Sequence, residues 1–154
     1  GTITGNATGI RNQFLGCIKG RQYAFASGFK TQMQQVLKAA KALDADQYPQ
    51  LSGVEVRVAG KRVDYTCYEN KADKDKKLDV AYEVKNWNSF ATKTPTAQRD
   101  IIQHFISQTS AYIASKGGLV LQIKGTIPAA AQAHVNALQA QATAANKVFR
   151  VEPI

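Results

Sequence analysis

"VDYTCYENKADKDKKLDVAYEVKNW", residues 63–87, is the stretch whose reading decides the fold. Its two ends, "VDYTCY" and "LDVAYEVKNW", alternate apolar with other residues, the period of a half-buried strand. The charge-dense "ENKADKDKK" between them reads as a solvated loop carrying the run Lys71 to Lys77. In the second strand Val80, Tyr82 and Val84 point one way, and Ala81, Glu83, Lys85 and Trp87 point the other. Asp64 interrupts the apolar run of the strand before. An exposed Glu83–Lys85 pair would contribute only ~0–1 kcal/mol, and such a surface pair leaves Ala81 and Trp87 on the same face unexplained.

Outward from this stretch, "VEVRV" (54–58) and "RVDYTCY" (62–68) alternate and are joined by "AGK", a short glycine-containing connection that reads as a hairpin. Before it, "DADQYPQLSG" (44–53) reads as a helix end and turn. From about residue 20 to residue 43, Phe25, Phe29, Met33, Val36, Ala40 and Leu43 recur at helical spacing, with Gln34, Gln35, Lys38 and Lys41 opposite. After the third strand, Thr94 and Pro95 predict an N-cap and first helical position. That helix is expected to reach Ser115, with Ile102, Phe105, Ile106, Thr109 and Ile113 inward. Gly117 and Gly118 stop it, and "LVLQIKG" reads as a buried strand. Pro128 opens a further helix with the seam Ala131, Val135, Leu138, Ala142 and Ala145, and "KVFRVEP" closes the chain as a strand. The expected class is α/β, mixed α+β: helix, three strands, helix, strand, then a C-terminal helix and strand. Residues 1–18 read as a loose lead-in and 19–154 as one domain, a size that buries roughly 68–70% of its unfolded surface.

Composition narrows the partners. The chain of 154 residues has a net charge of +9, and no stretch approaches the ~20 apolar residues of a membrane span. Residues 1–43 carry six Lys or Arg and no acid, and residues 101–151 carry four and no acid. Every Asp and Glu except Glu152 lies between 44 and 100. A surface built only for solubility mixes both signs. Acids confined to one region of a basic chain fit a protein that grips phosphates around a small anionic pocket for a cation. Cys17 and Cys67 lack metal or disulfide-framework spacing and read as free, partly buried thiols. His104 and His134 read as helix-surface or partly buried residues. Packing is the first reading of Tyr65, Tyr68, Tyr82 and Trp87, with base stacking the alternative for Trp87. The single methionine is Met33, so the chain is expected to be a piece cut from a longer polypeptide.

Phosphodiester cleavage needs charge neutralised on the phosphoryl oxygens and a water activated. A hard cation such as Mg²⁺ serves both when one or two carboxylates hold it and leave water positions open. Glu83 and Lys85, i and i+2 on one strand, present a carboxylate and an ammonium roughly 6–7 Å apart along the backbone. Asp64 on the adjoining strand supplies a second carboxylate, the Val84 carbonyl a further oxygen, and Lys85 an ammonium to stabilise developing charge.

"RVDY" followed by "YEVKNW" resembles the signature of the PD-(D/E)XK, or restriction-endonuclease-like, nuclease superfamily, and the element order over about residues 20–124 is similar to its core. The resemblance implies that Asp64 and Glu83 hold a divalent metal, Mg²⁺ or Mn²⁺, and that Lys85 is the catalytic lysine. "QTSAY", Gln108 to Tyr112, is similar to the Gln-x-x-x-Tyr element of the exonuclease branch, which implies Gln108 as a further catalytic residue and Tyr112 as an additional site residue, with Gln98 and Gln103 as rivals for the glutamine. The chain departs from the family in having no acid in its first helix, for which Glu55 is the candidate substitute, and in having Val63 before Asp64 instead of proline.

A small basic nuclease domain of this kind also resembles the C-terminal toxin module of a bacterial polymorphic toxin, such as a contact-dependent growth inhibition effector or a nuclease bacteriocin. That implies secretion or cell-surface delivery within a larger protein, action in a target cell's cytoplasm, and an acidic cognate immunity protein. DNA is the expected substrate, since RNA cutters can use the 2′-hydroxyl without metal. A tRNA-cleaving RNase and a non-catalytic basic nucleic-acid-binding module are the alternatives.

Overall fold

The computed structural model describes residues 27–154, with side chains from Lys30 onward. The expectations for the lead-in 1–18, for Cys17, for Phe25 and for the side chain of Phe29 lie outside these residues. The described chain is a mixed α/β fold: a five-stranded mixed sheet with helices on both faces.

Helix α1 (Ser27–Asp44) lies on one face, where Val36, Ala39 and Ala40 are buried against Leu51, Val54, Tyr65, Val80, Tyr82 and Val120. Each full burial of such an aliphatic or aromatic side chain contributes on the order of 1.5–3 kcal/mol. Helices α3 (Pro95–Thr109), α4 (Tyr112–Ser115) and α5 (Ala129–Ala145) cover the other face with Phe105, Ile113, Val135 and Leu138, over Ala81, Leu119, Leu121 and Ile123. Strands β1 (Gln50–Val54), β4 (Tyr65–Tyr68) and β5 (Val80–Asn86) pair antiparallel in that order; β6 (Gly118–Lys124) and β7 (Val148–Pro153) continue the sheet in parallel. The alternation of β5 is as expected: Val80, Tyr82 and Val84 face α1, and Ala81 and Trp87 face α3.

Several expectations are corrected. The segment read as a turn contains β1, five buried residues whose register slips between Leu51 and Gly53, and a strand with a bulge shows no clean alternation. "VEVRV" is not one strand. Glu55 takes a positive φ of 51°, so Val54 faces the α1 core while Val56 and Val58 join the core under α3. Asp64 sits just before β4, and across it Val63 and Tyr65 likewise fall into opposite cores. The hairpin of β2 (Arg57–Val58) and β3 (Lys61–Arg62) is thereby folded over the α3 side, turning at Ala59 and Gly60, both with positive φ. The Lys71–Lys77 run is solvated but not all loop: α2 (Lys71–Asp75) forms there because the Asn70 side chain caps Asp73 N–H at 2.8 Å.

Thr94 caps α3 through Ala97 N–H, as expected, but the helix stops at Thr109 rather than Ser115. Thr109 and Ser110 each bond the carbonyl four residues back, a local competition that bends helices. Ile106, expected to face inward, is exposed, as is Ala145 at the end of α5. Cys67 is a free thiol, wholly rather than partly buried. No helix among the described residues is long and apolar enough to cross a membrane.

Arg150 of β7 ties the sheet's far edge to its centre through a two-pronged pair with Glu69 at 3.1 and 3.3 Å, and Tyr82 donates to the same carboxylate. Gly118 begins β6 at φ +150°, where a β-carbon would meet Val148 O at 2.2 Å. Gly118→Ala is therefore expected to strain the backbone by about 1–3 kcal/mol and to push β7 away from β6 as well. The check is a drop in urea midpoint beyond that of an exposed control such as Gly60→Ala.

Candidate active site

β4 and β5 are paired from Cys67–Val80 to Tyr65–Tyr82 and then part. Beyond that point two carboxylates take the place of backbone carbonyls. The Asp64 N–H donates to Glu83 Oε1 at 3.1 Å, and the Val84 N–H donates to Asp64 Oδ2 at 2.7 Å. A strand residue sends its C=O out on the same edge as its N–H, so the Val84 carbonyl leaves β5 towards this gap. The Asp64 and Glu83 carboxylates and, by strand geometry, the Val84 carbonyl thus meet where the two strands part.

Lys85 Nζ lies 3.6 Å from Glu83 Oε2 and donates to Gln108 Oε1 at 2.7 Å. Gln108 also donates through Nε2 to the Arg62 carbonyl at 3.3 Å, and the Tyr112 hydroxyl reaches the same carbonyl at 3.2 Å. The pair is not on one continuous helix face, because the break after Thr109 separates them. Both side chains nonetheless converge on the Arg62 carbonyl and pin the hairpin beside Asp64, and Gln108 also gives Lys85 a fixed acceptor. The rivals go elsewhere. Gln98 bonds the carbonyls of Phe90 and Lys93, and Gln103 is exposed on a groove with Pro95 and Pro128. Glu55 is paired with Arg62 at 3.2 Å; its charge reaches Asp64 but it builds no third carboxylate corner, and no trio of His, Cys, Asp or Glu able to hold a metal occurs among the described residues.

Burial dominates the electrostatics. It pushes the Asp64 carboxyl up to about 6, against the opposing pull of Lys85 and the Val84 N–H, with Glu55 adding to the rise. Glu83, with no exposed surface, is raised well above the ordinary carboxylate range, by burial first and by Asp64 second. Its Oε2 has no hydrogen-bond partner among the described residues. A buried carboxylate oxygen left without a hydrogen bond is costly; the Lys85 ammonium 3.6 Å away offsets part of that cost, and a proton or a metal ion would relieve the rest. The donor set is all oxygen, which suits Mg²⁺ or Mn²⁺ and not a thiolate- or imidazole-preferring metal. These residues fit a hard divalent cation.

The remaining candidates have packing roles. Trp87 is buried edge-to-face against Phe105, centroids 5.1 Å apart, and Tyr65 stacks on Tyr82 at 4.9 Å. His134 is half-buried with Nε2 2.8 Å from Thr109 Oγ1, and His104 is exposed. The Arg62 carbonyl, on which two side chains meet, carried no signal in the sequence, since every residue has one. No protein-family model, curated protein or solved structure is significantly similar to this chain.

In the metal-free protein Asp64 binds its proton more tightly folded, at about 6, than unfolded, at 3.8. Its contribution is therefore fully present below pH 3.8 and is lost as pH rises through about 6; Glu83 acts in the same direction. Thermal melts in EDTA should show stability declining over that window. Mg²⁺ or Mn²⁺ should restore it above pH 6, and Asp64→Asn should flatten both the decline and the metal response.

Proposed function

We propose that the domain is a metal-dependent endonuclease, a phosphodiester hydrolase of restriction-endonuclease-like type acting on DNA, with tRNA as the alternative substrate. The observation that carries this reading is the interlocked carboxylate pair at the parting of β4 and β5, with Glu83 Oε2 buried, without a hydrogen bond and 3.6 Å from the Lys85 ammonium. A structural ion pair would close its own valences. This one leaves a buried carboxyl oxygen with a long ion pair and no hydrogen bond, in a protein whose net charge of +9 favours polyanions.

In this reading Asp64, Glu83 and the Val84 carbonyl hold Mg²⁺ or Mn²⁺, which when bound neutralises phosphoryl charge and acidifies water. Lys85 stabilises the negative charge developing on the phosphoryl group. Gln108 is a positioning residue: its carbonyl oxygen fixes the ammonium and its amide holds the hairpin at Arg62. Tyr112 supports the same backbone and touches no reacting atom. The toxin assignment, with delivery inside a larger protein and an acidic immunity partner, rests on likeness of class and on the basic charge that would speed such a partner's approach.

The purified domain should nick supercoiled plasmid or cut total tRNA with Mg²⁺ or Mn²⁺ and not with EDTA; chelator-resistant cutting would remove the metal mechanism. Asp64→Ala and Glu83→Ala are each expected to lower cleavage at least ~100-fold, and Lys85→Ala ~100–1000-fold. Nucleic-acid binding in low salt should be unchanged or tighter for the two acid variants, because each removes negative charge. Equal binding with no cutting by the wild type would promote the non-catalytic module. Gln108→Ala should reduce kcat by about tenfold with little change in KM, as befits a group that aims Lys85. Cytoplasmic expression of the wild type should arrest bacterial growth, and Glu83→Ala should not.

A further inference from the structure

Immediately beside Lys85 lies a cavity of about 280 Å³ lined by Lys85, Trp87, Asp100, Ile101, His104 and Phe105. Its walls are apolar: the edge-to-face pair of Trp87 and Phe105, and the half-buried Ile101 of α3. Its rim is polar, with Asp100 and His104 both exposed. Trp87 follows Lys85 by two residues, so it opens on the same sheet face roughly 6–7 Å along the strand. That offset is close to the distance separating a phosphate from its own base. A flat ring with hydrogen-bonding edges is what an apolar wall with a polar rim accepts, and the shared lysine ties that ring to a phosphate.

We infer that this cavity receives one unpaired nucleobase next to the phosphate held at Lys85, so that the domain prefers single-stranded or looped-out nucleic acid to continuous duplex. The inference rests on the phosphodiester reading of Asp64, Glu83 and Lys85. A base inside a duplex is covered on both faces by its neighbours and on its edge by its partner, and it can enter a recess only after leaving the stack. The apolar wall supplies contact to any base, so selection falls on strandedness before sequence. At the rim, partial burial and then the charges of Lys85 and Lys61 lower the proton affinity of His104. A neutral imidazole there has one donor and one acceptor for the edge of a base.

Trp87 is the only tryptophan in the chain and forms a wall of the cavity, so it reports occupancy directly. In EDTA, where no cutting occurs, a single-stranded oligonucleotide should quench or shift its emission. A strand of equal length made of abasic residues should not, and a blunt duplex should do so only weakly. By anisotropy the base-bearing strand should bind about tenfold more tightly than the abasic one. Ile101→Glu, a half-buried position on the wall, should reduce that ratio to near unity even where it weakens binding to both. Unchanged Trp87 emission, equal affinity for normal and abasic strands, or a base preference that survives Ile101→Glu would each overturn the inference. Because these arms need no turnover, base-dependent binding without metal-dependent cutting would support the cavity assignment while ending the nuclease reading.

Discussion

The structure around the candidate centre depends on one substitution of partners: where β4 and β5 part, two carboxylates accept the backbone N–H groups that the next strand would otherwise have taken. Glu83 holds Asp64 by its main chain, and Asp64 holds Val84 by its main chain. Each acid thereby fixes the backbone next to the other. The clasp takes over from ordinary strand pairing at this point, with the two carboxylates bridging the strands. It also sets two carboxyl groups side by side, where burial and their mutual repulsion raise their proton affinity against the pull of Lys85 and the backbone N–H groups.

Everything that surrounds the clasp supports it from a different direction. From the helical side, Gln108 fixes Lys85 and Gln108 and Tyr112 together fix Arg62. From the hairpin side, the Glu55 N–H bonds the Asp64 carbonyl at 3.0 Å and the Val63 N–H bonds that of Val56 at 2.8 Å. The positive φ at Glu55 is what carries this hairpin across to α3. A local backbone conformation that costs about 1–3 kcal/mol so serves to bring Arg62 within reach of two helical side chains. Strain at such a place is common at functional sites because the surrounding packing over-determines it.

How much of this was legible in the chain differs by element. The two faces of β5, the cap of α3 at Thr94, the buried β6 and the seam of α5 up to Ala142 follow from period and capping alone, because each is a matter of neighbours within a few residues. β1 is not legible in the sequence because its bulge and its Gln, Ser and Gly residues conceal a strand whose burial comes wholly from the layers above and below. The end of α3 is hidden as well, because hydrophobic spacing continues through a break at which Thr109 and Ser110 bond their own helix.

For the site, the sequence alone determined which residue types lie close together: an Asp before one strand, a Glu and a Lys on one face of the next, and a Gln and a Tyr four apart. Strand alternation is a covalent consequence of the backbone and needs no fold to express it. Tertiary structure alone decided the rest: that Glu83 has no solvent exposure, that its Oε2 goes without a hydrogen bond, that Glu55 turns to Arg62 while Gln108 turns to Lys85, and that an apolar recess opens beside that lysine. Burial and vacancy are properties of what the other layers leave uncovered. They depend on packing between segments distant in the chain, which no local pattern encodes.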